Sequence, residues 1–417
     1  MQANKPARRE PAPTLVLAML LVVYTFNYLD RQIFSVVAQQ VKADLGISDA
    51  QVGALGGIAF ALLYSTMGVP LGLLADRKGR TRVIAAGLVV WSGFTALCGA
   101  ATNFVQLFAC RLGVGIGEAG GVAPSYALIA DYFPPERRSR ALALYSLGVP
   151  FGSAAGAIFG ASIAAAVNWR AAFVILGVAG VLAAIPFALL VRDRSLPAAA
   201  PAQSPLAALS KLIRLPAFWL ISLGTAAGGI GGTGLLFWTP ALLQRSYGLS
   251  LIQAGQFVGA LLLLASATGM VIGGMLGDRA GQRDKAGYAR LPAWAFLLCA
   301  PGFALALAST GVTPLFLLLI APFALAFVWN GPIITAVQHI VAPADRAGAS
   351  ACFLLVVNLI AFGLGPYLIG VLSDRLCATS GPEALRHAMI AVAGLAFTAS
   401  AVCLYLAGPR LRAAWRD

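Results

Sequence analysis

The stretch "GVPLGLLADRKGRTRV", Gly68 to Val83, decides the fold. Gly68 and Gly72 lie four residues apart, so one helix face is bare enough for a second helix to pack closely. Asp76 follows at the helix end, and Arg77, Gly79 and Arg80 make a tight basic turn. A carboxylate there can cap the positive end of a neighbouring helix or pair with an arginine. Gly72, Asp76, Arg77, Gly79 and Arg80 are therefore candidate gating-loop residues, with Asp131 and Arg140 at the next turn on the same side. Contacts of this kind can hold two helical bundles together in one conformation and release them in another. A plain basic loop that anchors topology is the simpler reading, and both can hold.

The turn has an echo. "GMLGDRAGQR" occupies 274–283, and "PPERRSRA" from Pro134 is answered by "PADRAGAS" from Pro343. Asp76 to Asp278 is 202 positions, and Arg137 to Arg346 is 209. Similar offsets at two places predict a parallel repeat of two helical bundles.

Composition makes this a membrane protein. Of 417 residues, 59% are hydrophobic and only 11% are charged, more apolar surface than a soluble chain could hide from water. Twelve apolar segments are predicted to span a bilayer, at 14–41, 50–75, 83–101, 105–131, 140–166, 170–191, 217–244, 252–276, 291–309, 314–341, 348–372 and 385–407. Lys5, Arg8 and Arg9 precede the first, as in a signal peptide. That segment is too long and carries Asp30 and Arg31, so it reads as a retained span. The longest break, rich in Pro, Ala and Ser, divides the chain into a six-helix bundle over 1–191, a linker over 192–216 and a second bundle over 217–417.

The net charge of +14 falls in short clusters between apolar runs, not in a stripe that would suit nucleic acid. The side bearing the N-terminus (side A) holds 22 Lys and Arg, and the opposite side (side B) holds 5. The positive-inside rule then predicts a bacterial-type cytoplasmic (inner) membrane protein with both termini in the cytoplasm. The six cysteines show no CxxC or metal spacing and read as small buried hydrophobes. No nucleotide loop, HExxH or nucleophile elbow is present. No enzyme activity, metal, cofactor or nucleic-acid partner is expected, and a monomer is.

Charges inside the spans are the exception. Asp30 lies 16 residues into the first helix, about 24 Å from its start at 1.5 Å per residue. In the fourth, Arg111 lies about 9 Å and Glu118 about 20 Å from side B. Asp30, Arg31, Arg111 and Glu118 thus fall at matching depth, and Arg111 and Glu118 share a face. Asn27 can join the same patch. Charges at such depth normally face a bundle interior or water and mark ion or substrate paths. Desolvation favours protonated carboxyls while nearby arginines favour ionised ones, which is what proton coupling needs. A static salt-bridge set joining two helices is the alternative. Candidate cavity residues are Asn27, Tyr24, Trp238, Trp329, Asn330 and Asn358. Asn330-Gly331-Pro332 is predicted to break the tenth helix. His339 and His387 read as interfacial.

The loop signature and the twelve-helix, two-half plan resemble the major facilitator superfamily. Within it, "NYLDR" (27–31), "RLGVGIGEAGGVAPSYALIADYF" (Arg111 to Phe133) and "SLGVPFGSAAG" (Ser146 to Gly156) are similar to the Spinster family of lipid-related transporters. Sugar-acid and organic-anion transporters carry runs like "NYLDR". The resemblance implies an all-α fold of twelve transmembrane helices in two pseudo-symmetric six-helix bundles. It implies alternating access by symport or antiport. A lysophospholipid or sphingoid substrate is implied, with coupling and gating at Asp30, Arg31, Arg111 and Glu118. A small organic anion drawn by Arg31 and Arg111 is the competing substrate. A non-transporting membrane sensor is the competing class.

Overall fold

A computed structural model describes residues 11–194, 212–342 and 345–416. Lys5, Arg8, Arg9, linker residues 195–211, and Pro343 and Ala344 of the echoed turn lie outside the described residues. All regular secondary structure among the described residues is helical. Before the linker stand α1 (Pro13–Leu45), α2 (Asp49–Gly56), α3 (Ile58–Lys78), α4 (Arg80–Cys98), α5 (Phe104–Ala119), α6 (Val122–Tyr132), α7 (Pro135–Ser146), α8 (Gly148–Ala166) and α9 (Trp169–Leu190). After it come α10 (Pro216–Ser246), α11 (Leu251–Arg283), α12 (Gly287–Leu307), α13 (Val312–Phe327), α14 (Asn330–His339), α15 (Arg346–Ser380) and α16 (Ala384–Ala414). Residues 11–194 are called the N-half below, and 212–416 the C-half.

Each of the twelve predicted segments coincides with one helix or with two consecutive ones. Four are interrupted, at Gly57, at Gly120–Gly121, at Leu147 and at Val328–Trp329. Three interruptions lie just before a proline, Pro124, Pro150 or Pro332. Proline lacks an N–H, and its ring clashes with the carbonyl four residues back, at Gly120, Ser146 and Val328. The predicted break in the tenth segment therefore occurs, just ahead of Asn330.

Ten helical stretches are long and apolar enough to cross a membrane, one of which, Gly348–Ala414, contains both α15 and α16. The segment Phe104–Tyr132, broken into pieces of 16 and 11 residues and carrying Arg111 and Glu118, is not among them. The interruption falls beside Glu118, where the sequence had indicated an uninterrupted span. Large apolar side chains such as Val105, Leu189 and Leu395 point outward, a surface suited to lipid and not to water.

Four helices entering from side B carry side-chain caps. Asn103 and Asn168 accept from the third residue beyond, and Ser48 and Ser250 each form a complete capping box with a glutamine. Within the N-half, α1 packs along α8 and α4 along α9; within the C-half, α16 packs along α10 and α12. The halves meet along two seams, α8 with α11, and α15 with α2 and α3. The second seam brings backbone against backbone at two glycines. A Cβ on Gly53 would lie 2.4 Å from the Pro366 carbonyl oxygen, and one on Gly370 would lie 2.3 Å from that of Asp49. No side chain fits at that separation.

Candidate functional site

The four charges predicted from depth do come together. Arg31 Nε donates to Glu118 Oε2 at 2.8 Å, joining α1 to α5. Arg111 Nη1 lies 3.8 Å from Asp30 Oδ2, an ion pair between the same two helices. Glu118 is wholly buried, and Asp30, Arg111 and Asn27 are at most 3% exposed. The Arg31 guanidinium faces the rings of Phe60, Tyr64 and Tyr28 at 4.6, 4.6 and 4.9 Å. Arg111 faces Phe34 and Phe60 at 5.4 and 5.7 Å. Aromatic faces supply the negative potential that these desolvated cations lack.

The cluster is under-satisfied. Among the described residues, Arg111 Nε and Nη1, Asp30 Oδ2, Glu118 Oε1 and Asn27 Oδ1 have no hydrogen-bond partner. Buried polar groups are ordinarily paired, so several orphans in one place mark a region built for something other than stability. Asn27 is buried beside these residues but makes no hydrogen bond to them through Oδ1.

Thr95 on α4 was not singled out by its sequence. Its hydroxyl lies 2.6 Å from Asp30 Oδ1 and 2.9 Å from the Trp91 carbonyl. A threonine is ordinary in a membrane helix, and only the packing of α4 on α1 gives this one a carboxylate.

The cavity candidates divide. Tyr24 is stacked on Tyr145 with centroids 4.3 Å apart and meets Tyr28 edge-on at 5.2 Å. Trp238 corrects the reading: it is fully buried and donates from Nε1 to the Pro366 carbonyl at 2.8 Å, so it ties α10 to α15 and presents nothing to a cavity. Trp329 packs towards Phe353 at 6.3 Å, and Asn330 Nδ2 donates to the Phe327 carbonyl at 3.0 Å, closing the helix break locally. Asn358 is half-buried on α15.

The gating-loop candidates are held within the N-half. Arg80 pairs with Asp131 and, at 3.5 Å, with Asp76. Gly79 has φ of 101°, and a Cβ there would lie 2.5 Å from Asp193 Oδ2. Asp193 accepts from the Thr81 amide at 3.0 Å and caps the start of α4. Arg77 and Arg140 are exposed, and Gly72 faces open space. The expectation that this loop clasps the two bundles is corrected for this conformation, since each of these contacts stays on the N-half. Asp193, placed by sequence in the linker, is the missed partner.

The C-half loop has a comparable anchor. Asp284 accepts from Arg412 Nε at 3.0 Å and from the Ala286 amide at 3.0 Å. The Arg412 hydrogen bond holds its carboxyl below the usual carboxylate range. His339, expected at the interface, stacks on Trp415 at 4.5 Å, and its Nδ1 is 2.9 Å from the Arg416 carbonyl.

The halves are instead clasped on side B. Arg245 of the C-half grips Asp49 of the N-half with both terminal nitrogens, at 2.7 and 2.6 Å. Lys42 and Ser373 add bonds to Asp49 of 2.6 and 2.8 Å. Arg245 Nε also reaches Gln39 at 2.7 Å. The Asp374 carboxylate accepts from the Asp49 and Ala50 amides at 3.0 and 2.8 Å, so a C-half acid caps the N-terminus of α2. Sequence could count the basic residues at side B but not find these partners, because 196 and 325 positions separate Asp49 from Arg245 and Asp374.

The sequence profile of the Major Facilitator Superfamily matches residues 20–366. The chain is 35% identical to an "MFS-type efflux pump" of Mycolicibacterium smegmatis over 95% of this chain and 92% of that one. It is 31% identical to a "Probable L-galactonate transporter" of Escherichia coli over 66% of this chain and 64% of that one. Among solved structures, a bacterial homolog of the human lysosomal transporter Spinster superposes with a TM-score of 0.86. That structure, described as inward-facing and unoccupied, shares 30% identity and covers 98% of this chain and 100% of its own.

Proposed function

The chain belongs to the major facilitator superfamily and is a membrane transporter, not an enzyme, and from that premise we propose a proton-coupled secondary transporter of an amphipathic, lipid-like substrate. It works by alternating access, as a monomer in a cytoplasmic membrane with side A facing the cytoplasm. Likeness to a Spinster homolog supports the substrate class. The bare inner part of α3, where Gly68 and Gly72 have no neighbour, supports a cavity open to side A while the Asp49–Arg245 clasp seals side B.

The observation that carries the coupling reading is the buried Arg31–Glu118 contact beside a second, looser pair, Asp30–Arg111. Two acids and two bases share one buried cluster. Either acid can take a proton and release its arginine, changing what the neighbouring groups must satisfy. Thr95 suits such a change. Its single proton can go to an ionised Asp30; when Asp30 is protonated, the acid can donate to Thr95, whose own proton turns to the Trp91 carbonyl.

The test is transport into proteoliposomes under an imposed pH gradient. Asp30→Asn and Glu118→Gln are expected to abolish pH-driven transport of a lysophospholipid while leaving the protein folded. Unchanged pH dependence in both variants rejects the assignment. A second reading, transport of a small organic anion or sugar acid, is favoured by the two nitrogens of Arg111 that make no hydrogen bond and by the likeness to an L-galactonate transporter. Uptake of sugar acids without uptake of lysolipid would decide for it.

A further inference from the structure

Three rings around the Arg31 guanidinium come from the N-half. A fourth comes from the other half of the molecule. The ring of Phe362, on α15, lies 5.5 Å from the guanidinium carbon and meets Phe60 edge-on at 6.4 Å. The Arg31 side chain is left only 13% exposed. We propose that Phe362 is a positioning residue of the charge cluster: it supplies the C-half wall of an aromatic cage around Arg31 and so ties the Arg31–Glu118 pair to the relative placement of the two halves.

The backbone makes this tie stiff. Phe362 stands next to Gly363, at the seam where α15 crosses the interruption between α2 and α3. A Cβ on Gly57 would lie 2.6 Å from the Gly363 oxygen and 2.8 Å from the Phe362 oxygen. Backbone rests on backbone, with no flexible side chain between to absorb a shift. Phe362 therefore cannot keep its distance from Arg31 if α15 moves relative to α2 and α3. The remaining cage rings ride on α1 and α3 with Arg31, so Phe362 is the wall whose presence reports the seam.

The consequence follows from the charge in the cage. An arginine bound to a carboxylate is a neutral unit, whereas one released from it is a bare cation. Aromatic faces stabilise the bare cation more. A closed cage thus favours the state in which Glu118 has taken up a proton and freed Arg31, and an opened cage favours the ion pair. Asp30, Arg111, Tyr28 and Tyr64 are the other titratable or charged groups facing this pair, and all four belong to the N-half. Phe362 is uncharged and acts on the pair through the Arg31 guanidinium that it faces and the Phe60 ring that it meets. The inference rests on the proton-coupling reading and adds the element that connects it to movement.

The test needs no substrate. Spin labels on exposed Glu136 and Gln282, in the full chain with its six cysteines replaced, report the separation of the halves on side A as pH is varied. The unaltered sequence is expected to show a pH-dependent distance distribution, and Glu118→Gln to abolish that dependence. Phe362→Leu, which keeps apolar bulk but removes the ring, is expected to move the midpoint to more acid pH by roughly half to one unit, about 3- to 10-fold in proton concentration. Phe362→Tyr is expected to keep the original midpoint. Should the leucine variant fail to fold, Phe362→Met takes its place. A midpoint unmoved in Phe362→Leu while Glu118→Gln is unresponsive overturns the role of Phe362 and leaves the coupling reading standing. Equal displacement in the leucine and tyrosine variants reduces Phe362 to packing and also overturns it. A pH response that survives Glu118→Gln removes Glu118 from the coupling step, and this inference with it.

Discussion

Asp49 and Arg245 form a two-pronged ion pair across the halves, with nitrogen–oxygen distances of 2.6 and 2.7 Å. Asp49 is 2% exposed and the Arg245 side chain 20%, so the pair is partly shielded from water and salt. Arg245→Ala should leave Asp49 with only Lys42 and Ser373 and weaken the clasp by about 2 kcal/mol, roughly 30-fold in population. Spin labels placed on side B of each half should show a new, longer distance. A distribution identical to that of the unaltered protein would mean that the glycine seams alone hold side B shut.

The seams give a contrast between two glycines of one predicted span. Gly53→Ala would drive a methyl group into the Pro366 carbonyl at 2.4 Å, an overpacking that costs about 1–3 kcal/mol. Gly72→Ala meets nothing within 4 Å and should leave this conformation intact or slightly firmer. Melting temperatures of the two variants in detergent should separate in that order. A Gly72→Ala variant as unstable as Gly53→Ala would contradict the open space beside α3.

Thr95 can be separated from shape. Thr95→Val removes the hydroxyl from Asp30 at nearly constant volume and should cost about 1 kcal/mol of stability. Transport should fall more than stability does, whereas Thr95→Ser should retain it. Equal transport by the valine and serine variants would exclude a role for the hydroxyl.

Asp284 lies in the loop between α11 and α12, and its hydrogen bond from Arg412 holds the carboxyl below its usual range. A carboxyl depressed in the folded state adds stability above its unfolded value near 3.9 and loses it as pH falls through the lower, folded value. The tether of the α16 end to this loop should therefore persist at neutral pH and weaken only in acid, below about pH 4. Both groups are largely solvated, so the effect on stability is small. Protection of the Ala286 and Arg412 amides, relative to their intrinsic exchange rate at each pH, should fall in acid for the unaltered protein. In Asp284→Asn it should already be low at neutral pH; high protection there would show that the tether is held by other contacts.

Much of the site was legible before any packing was known. A charge in a long apolar run is costly wherever it lies, so Asp30, Arg31, Arg111 and Glu118 stood out by position alone. Helical rise is constant, so depth along two helices could be compared without a structure. The same reasoning had no hold on Thr95, Phe60 or Phe362, since hydroxyls and phenylalanines are unremarkable in a membrane helix. Trp238 was misread because an aromatic in an apolar segment has the same appearance whether it faces a cavity or fills a core. Asp193 was assigned to the linker because its partner, the first turn of α4, lies 112 residues away.

Sequence by itself determined the helices, the break in the tenth segment and the four buried charges. These depend on local hydrophobicity, on proline and glycine backbone chemistry, and on the cost of charge in lipid, all of which act within a few residues. Which arginine meets which carboxylate, which half supplies Phe362, and that side B is clasped while the "GVPLGLLADRKGRTRV" loop holds only its own half were decided by tertiary structure. The Arg31–Glu118 bond spans 87 positions and the bond from the Asp49 amide to Asp374 spans 325. Rocking the halves would exchange them without altering any helix, so local physics carries no record of them.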